Sequence, residues 1–90
     1  MKIGYFADGP WSHSTIERLT KMVGVSIVFI VPRFDTQDPV LKQWAGDLNI
    51  PFLISENVNS EEFINKIKVI EADLFVSMSF NQILKSSILL

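Results

Sequence analysis

The sequence contains no cysteine, which removes disulfides, thiolate nucleophiles and cysteine zinc sites from consideration and fits a reducing compartment. Histidine is nearly absent too: His13 stands alone, so a zinc site would have to be completed by several carboxylates. Charge of one sign is scarce, with 8 Lys and Arg against 10 Asp and Glu and a formal net charge of -2. No strong field exists to hold a phosphate backbone or an anionic membrane, so bulk-charge binding of nucleic acid is not favoured. Long hydrophobic runs are missing. The longest apolar stretch, residues 23–31, is interrupted by Gly24 and Ser26 and falls far short of the roughly 20 residues that span a bilayer. At the amino terminus, Asp8, Gly9 and Pro10 break the chain before a signal-peptide core could form. The expectation is a soluble, cytoplasmic protein with no membrane partner. What is present is enough to fold: 48% of the 90 residues are hydrophobic and 20% charged, a balance that builds a core and is too apolar for a disordered chain.

Short β-rich runs alternate with helical segments. Residues 2–6 read as a strand, and Gly9 and Pro10 then break regular structure. Ser12 or Ser14 can cap a helix whose apolar positions Ile16, Leu19, Met22 and Val23 recur at three- and four-residue spacing, ending near Gly24. Residues 25–31 are dominated by β-branched side chains of both parities, as in a strand covered on both faces, and Pro32 ends them. Asp38 followed by Pro39 is a helix start, with Val40, Leu41, Trp44, Ala45 and Leu48 as the buried stripe and Asn49 as a left-handed close. Residues 50–54 read as a third strand with Pro51 near its start. Asn59 with Glu62 gives a capping-box signature for a helix running to Ile70. Residues 74–78 make a fourth strand of buried character, and a helical or turn segment begins at Gln82. This alternation predicts an α/β fold, a parallel sheet wound by βαβ crossovers with four strands in βαβαβαβ order. Ligands of such a sheet bind beyond the carboxyl ends of its strands, which places residues 7–12, 32–38, 55–59 and 79–83 around the crevice.

Two of those segments carry chemistry. Asp8, Gly9, Pro10, Trp11, Ser12 and His13 bring a carboxylate, a glycine turn, an indole and an imidazole to the first strand's exit. The glycine spacing is wrong for a dinucleotide fingerprint and no P-loop lysine is present. A helix amino terminus there could still receive an anion, with Ser12 or Ser14 assisting. The alternative is that Ser12 only caps the helix and Trp11 packs over its first turn. His13 has no positioned partner in the nearby sequence and reads as solvated or capping rather than as a catalytic base. Residues 77–84 interrupt an apolar strand with small polar and amide side chains that could read a heterocycle. A simple strand exit turned by Asn81 would look the same.

Met1-Lys2-Ile3 leading into a first strand, Leu48-Asn49-Ile50-Pro51-Phe52, and Ala72-Asp73-Leu74-Phe75-Val76-Ser77-Met78-Ser79-Phe80-Asn81-Gln82-Ile83-Leu84 together resemble the formyltetrahydrofolate-dependent formyltransferase family. That family embraces methionyl-tRNA, glycinamide ribonucleotide and nucleotide-sugar N-formyltransferases. The resemblance implies a Rossmann-like domain that binds formyltetrahydrofolate and passes its formyl group to an amine. It implies that Ser79, Phe80, Asn81, Gln82, Ile83 and Leu84 line the pterin and formyl pocket, and that Asp8, Gly9 and Trp11 lie on the acceptor side. The family's catalytic asparagine, histidine and aspartate are expected beyond Leu90, beginning with an asparagine-x-histidine motif, so no catalytic residue is assigned within residues 1–90. On this expectation the chain is the amino-terminal part of the domain, incomplete at its C-terminus and inactive alone; a homodimer of the full-length protein is compatible with it.

The acceptor is read from the loop after the second strand. Residues 32–38 hold one arginine and two aspartates, whereas tRNA formyltransferases resemble one another in a longer basic insertion there. The glycine- and serine-rich loop of the glycinamide ribonucleotide enzymes is replaced by Ala7-Asp8-Gly9-Pro10-Trp11. A nucleotide-linked amino sugar is the favoured acceptor, as in O-antigen biosynthesis, with a methionyl-tRNA formyltransferase-like enzyme as the alternative. A non-catalytic flavodoxin-like or receiver-like binding module is a third reading. Only Asp8 approaches a receiver's acidic pair, and Ser55-Glu56-Asn57 supplies no phosphorylatable aspartate.

Overall fold

A computed structural model describes residues 1–85. Three strands, β1 (Lys2–Ala7), β2 (Ser26–Val31) and β3 (Leu74–Met78), form one parallel sheet in the order β2-β1-β3. Helices α1 (Pro10–Lys21) and α2 (Pro39–Leu48) precede α3 (Glu61–Ile70) along the chain. The α/β, Rossmann-like architecture expected from the alternation is therefore present.

Alternation within the strands builds two cores, one on each face. Tyr5 and Ala7 of β1 point to the face where Ile16 of α1 and Leu41 and Ala45 of α2 are buried, with Val76 and Met78 of β3 alongside. Phe6, one position out of phase, points to the opposite face, into a cluster with Phe29, Val31, Val58 and the α3 residues Phe63, Ile64 and Ile67. The pairing of β1 with β2 slips between Ile3 and Gly4, so that Ile3 faces Ile27 while Gly4 faces Phe29. This irregularity, of the β-bulge type, brings the Phe29 ring over Gly4. A β-carbon at Gly4 would lie 2.2 Å from the ring. The rings of Phe6 and Phe29 meet edge to face at 5.6 Å, and Phe75 closes on Phe6 at 5.3 Å.

The chain leaves β1 through α1 to reach β2, continues through α2 on that same face, and then crosses through α3 on the other face to reach β3 on the far side of β1. The direction of winding therefore reverses at β1 and β3, and their carboxyl ends form the switch point where open α/β sheets take ligands.

Several local expectations are corrected. Residues 50–54 do not form a strand: only Phe52 bridges to Ile30, held by Ile30 N–H to the Pro51 carbonyl (3.0 Å) and Leu53 N–H to the Ile30 carbonyl (2.8 Å). Pro51 has no N–H to extend that ladder, and Ile54 has already turned outward. Helix α1 is capped by neither Ser12 nor Ser14. It starts at Pro10, whose fixed φ suits the first helical position, with Gly9 as the cap at φ 81°. The helix also stops earlier than expected, so Met22 and Val23 are exposed rather than buried. Val40 of the predicted α2 stripe is exposed as well, while Trp44 and Leu48 are half-buried. Ser60, not Asn59, caps α3 by accepting from Phe63 N–H at 3.2 Å. Among the described residues β3 lies at the sheet edge and is half-buried, not interior. Residues 82–85 have no regular structure, and the remainder of the expected terminal segment lies outside the described residues. Among the described residues no helix is long and apolar enough to cross a membrane.

Candidate functional site

Asp38 organises the crevice. Its Oδ1 accepts from Val40 N–H at 2.8 Å and Leu41 N–H at 3.3 Å, as an N-cap should. Its Oδ2 accepts from Gly9 N–H at 3.0 Å and lies 2.7 Å from His13 Nε2. One carboxylate thus starts α2 and ties down the turn that starts α1. Burial pushes its pKa up, yet the hydrogen bonds from His13, Val40, Gly9 and Leu41 outweigh that effect and hold it below its ordinary value.

The place an incoming anion would take at the α1 amino terminus is therefore occupied by a protein carboxylate. Ser12, expected to assist an anion, is fully buried and donates its hydroxyl to the Gly9 carbonyl. Tyr5, also fully buried, donates its hydroxyl to the Ser12 carbonyl at 2.8 Å, and burial pushes its phenol up to about 12. His13 has a partner after all in Asp38, 25 residues away in sequence.

Asp8 follows β1 directly, its N–H donating to the Met78 carbonyl of β3 at 3.1 Å. Its Oδ1 is buried and has no hydrogen-bond partner among the described residues. Burial, then the neighbouring Asp38 charge, raise its pKa; the Arg33 guanidinium, with Nε 3.7 Å from Asp8 Oδ2, offsets only part of this. Arg33 Nε and Nη2 both donate to the Ser79 carbonyl, at 3.1 and 2.8 Å. Trp11 is 76% exposed. It borders a hollow of about 310 Å³ together with Ser14, Thr15 and Arg18 of its own helix and Met78 of β3.

The segment after β3 lies at the same end of the sheet as Asp8, Gly9 and Trp11, as parallel pairing of Ala7 with Met78 requires. Its residues divide by parity. Phe80 packs edge to face on Phe6 at 5.6 Å, and Leu84 joins the same cluster. The Gln82 amide is engaged at both ends, accepting from Val58 N–H at 2.9 Å and donating to the Ser55 carbonyl at 3.1 Å. Asn59 ties the segment from the same side, through the Ile83 carbonyl and the Lys85 N–H, both at 2.7 Å. Ser79, Asn81 and Ile83 are the exposed members, with Asn81 reaching Asp35 at 3.5 Å. Phe80, Gln82 and Leu84 hold the segment in place, while Ser79, Asn81 and Ile83 face outward.

Arg33, Asp38 and Asn59 were not marked as site residues by the sequence. A signal for the first two was available: the carboxyl ends of adjacent parallel strands must lie together, so polar residues following β2 belong beside those following β1. Among the described residues, no group of three or more His, Asp or Glu side chains is arranged to hold a metal ion.

No protein-family model matches the chain. It is similar to the methionyl-tRNA formyltransferase of Chlamydia caviae, at 28% identity over 97 residues, an alignment that covers 99% of this chain. The chain spans 30% of the length of that relative. The likeness supports a relationship with the formyltransferases, at the level of the family and not of any one acceptor.

Proposed function

We propose that this chain forms the folate-side and acceptor-side walls of a formyltransferase that moves the formyl group of formyltetrahydrofolate onto an amine. The observation that carries the reading is the similarity to a methionyl-tRNA formyltransferase along almost the whole chain, in a fold where residues 8–11 and 79–84 follow the carboxyl ends of two paired parallel strands. Ser79, Asn81 and Ile83, with the backbone between them, offer the surface for the pterin and formyl group. Asp8 and Gly9 stand on the acceptor side, and Trp11 supplies an exposed apolar wall there.

In this reaction the amine nitrogen bonds to the formyl carbon, the bond from that carbon to the folate nitrogen breaks, and the amine's proton ends on the folate nitrogen. Charge develops on the formyl oxygen on the way. A donor placed for such an oxyanion commonly contributes about 3 to 4 kcal/mol to the barrier. On this reading the contribution of residues 1–85 is to position the two substrates.

The acceptor we favour is a nucleotide-linked amino sugar. Residues 32–38 offer a single arginine, engaged with the Ser79 carbonyl, and a surface of net charge -2 neutralises few phosphates. Methionyl-tRNA is the second reading, favoured by the similarity to a methionyl-tRNA formyltransferase. Incubating the full-length protein with formyltetrahydrofolate and each acceptor class, and following tetrahydrofolate release together with the formylated product, tests both. Formylated amino sugar supports the first reading and formylated methionyl-tRNA the second. Absence of both products and of folate binding refutes the proposal.

A further inference from the structure

Ser79 is a non-glycine residue at φ 56°, in the left-handed region where an ordinary side chain crowds its own backbone. Such a conformation persists only where the surroundings over-determine it. Downstream, Phe80 is anchored against Phe6. Upstream, the Met78 carbonyl is held by Asp8 N–H. Between these fixed points the Ser79 carbonyl accepts from Arg33, whose Nε and Nη2 converge on that one oxygen at 3.1 and 2.8 Å. The Asp8 carboxylate, 3.7 Å from Nε, in turn aims the guanidinium.

From this geometry we infer that Arg33 is a positioning residue for the segment 79–84: its two N–H groups lock Ser79 in the left-handed conformation and so set the outward presentation of Ser79, Asn81 and Ile83 to the pterin. The inference rests on the folate reading above and names a residue for which that reading has no role. Arg33 reaches the segment from the loop after β2, across the end of β1, so the link joins the exits of the two strands that pair with β1 on either side. A lysine could keep the charge but could not place two N–H groups from a planar fork on one oxygen.

The test is a double-mutant cycle between Arg33→Met and Ser79→Gly, since glycine adopts positive φ without the crowding that Arg33 counters. Binding of 5-formyltetrahydrofolate to the full-length protein is measured by calorimetry for each variant, and amide hydrogen exchange over residues 79–82 is read on the same proteins without ligand. Arg33→Met is expected to weaken binding by about tenfold when Ser79 is present and by less than about threefold when it is glycine, a coupling typical of side chains acting through one contact. The same pattern is expected in exchange: a marked acceleration in the serine background and little in the glycine background. Arg33→Lys should behave like Arg33→Met. Equal losses in both backgrounds, no loss in either, or full rescue by lysine would overturn the inference. If the wild-type protein fails to bind 5-formyltetrahydrofolate while the exchange data still show the coupling, the folate reading falls and the positioning role stands.

Discussion

Replacing Gly4 by alanine should destabilise the protein although it removes nothing. Gly4 lies in β1, the central strand, directly under Phe29, and the added β-carbon would sit 2.2 Å from Cζ, 2.7 Å from Cε2 and 2.9 Å from Cε1 of that ring. Phe29 is fully buried and cannot swing into solvent. It is hemmed by Phe6 at 5.6 Å and Phe75 at 6.1 Å. Forcing an extra methyl into such packing costs about 1 to 3 kcal/mol. The stiffer unfolded chain returns about 0.4 to 1 kcal/mol, leaving a net loss centred near about 1 kcal/mol. With a urea dependence near 1 kcal/mol per molar, the unfolding midpoint should fall by about 1 M. Urea denaturation followed by tryptophan fluorescence and circular dichroism measures it. Trimming the ring in the same protein, Gly4→Ala with Phe29→Leu, should lose about 1 kcal/mol less than the sum of the two single changes, because the second removes the clash of the first. An unchanged or raised midpoint for Gly4→Ala, or strict additivity of the pair, would refute the packing assigned to the β1–β2 irregularity.

Asp38 and Asp8 should answer to pH with opposite signs. Asp38 has its folded pKa held below 3.8, so its contribution is present above the unfolded value and is lost as pH falls through the folded one; Asp38→Asn should destabilise at pH 7, with the difference shrinking toward pH 3, measured by thermal melts across that range. Asp8 has its folded pKa raised above 3.8, so its contribution is present below the unfolded value and is lost as pH rises through the folded one; Asp8→Asn should be more stable than wild type at pH 7 and lose that advantage at pH 3. Glu71, exposed at φ 59° after α3, should gain about 0.5 to 1 kcal/mol on replacement by glycine, a higher melting temperature by calorimetry being the check.

What could be read from the sequence was whatever a residue does to its immediate neighbours. Asp38 and Pro39 announce α2 because a carboxylate and a missing N–H act within one helical turn, and Asn49 closes the helix at φ 56° for an equally local reason. The runs that became β1, β2 and β3 carry their own hydrophobic pattern. The errors fall where the outcome depends on distant atoms. Asn59 has the look of a cap, but its amide is spent on Ile83 and Lys85, more than 20 residues on, and the adjacent Ser60 takes the cap instead. Residues 50–54 have strand composition, yet pairing needs donors facing an edge, and only Leu53 N–H meets the Ile30 carbonyl. The candidate site was legible as a location, because the end of a parallel sheet follows from element order. Its wiring was not: Arg33 to Ser79 spans 46 residues and Asp38 to Gly9 spans 29, and no periodicity encodes either.

The second oxygen of Asp38 bears on how a nucleotide-linked acceptor could lie in the crevice. In many doubly wound proteins the helix after the first strand receives a phosphate, because its N–H groups are free and its dipole is positive. Here Gly9 N–H is bonded to a carboxylate, and a second carboxylate, Asp8, stands beside it. A diphosphate brought to that point would meet two acidic groups and a helix terminus already neutralised. On the proposed reading a nucleotide-linked acceptor would therefore lie with its diphosphate directed away from the start of α1.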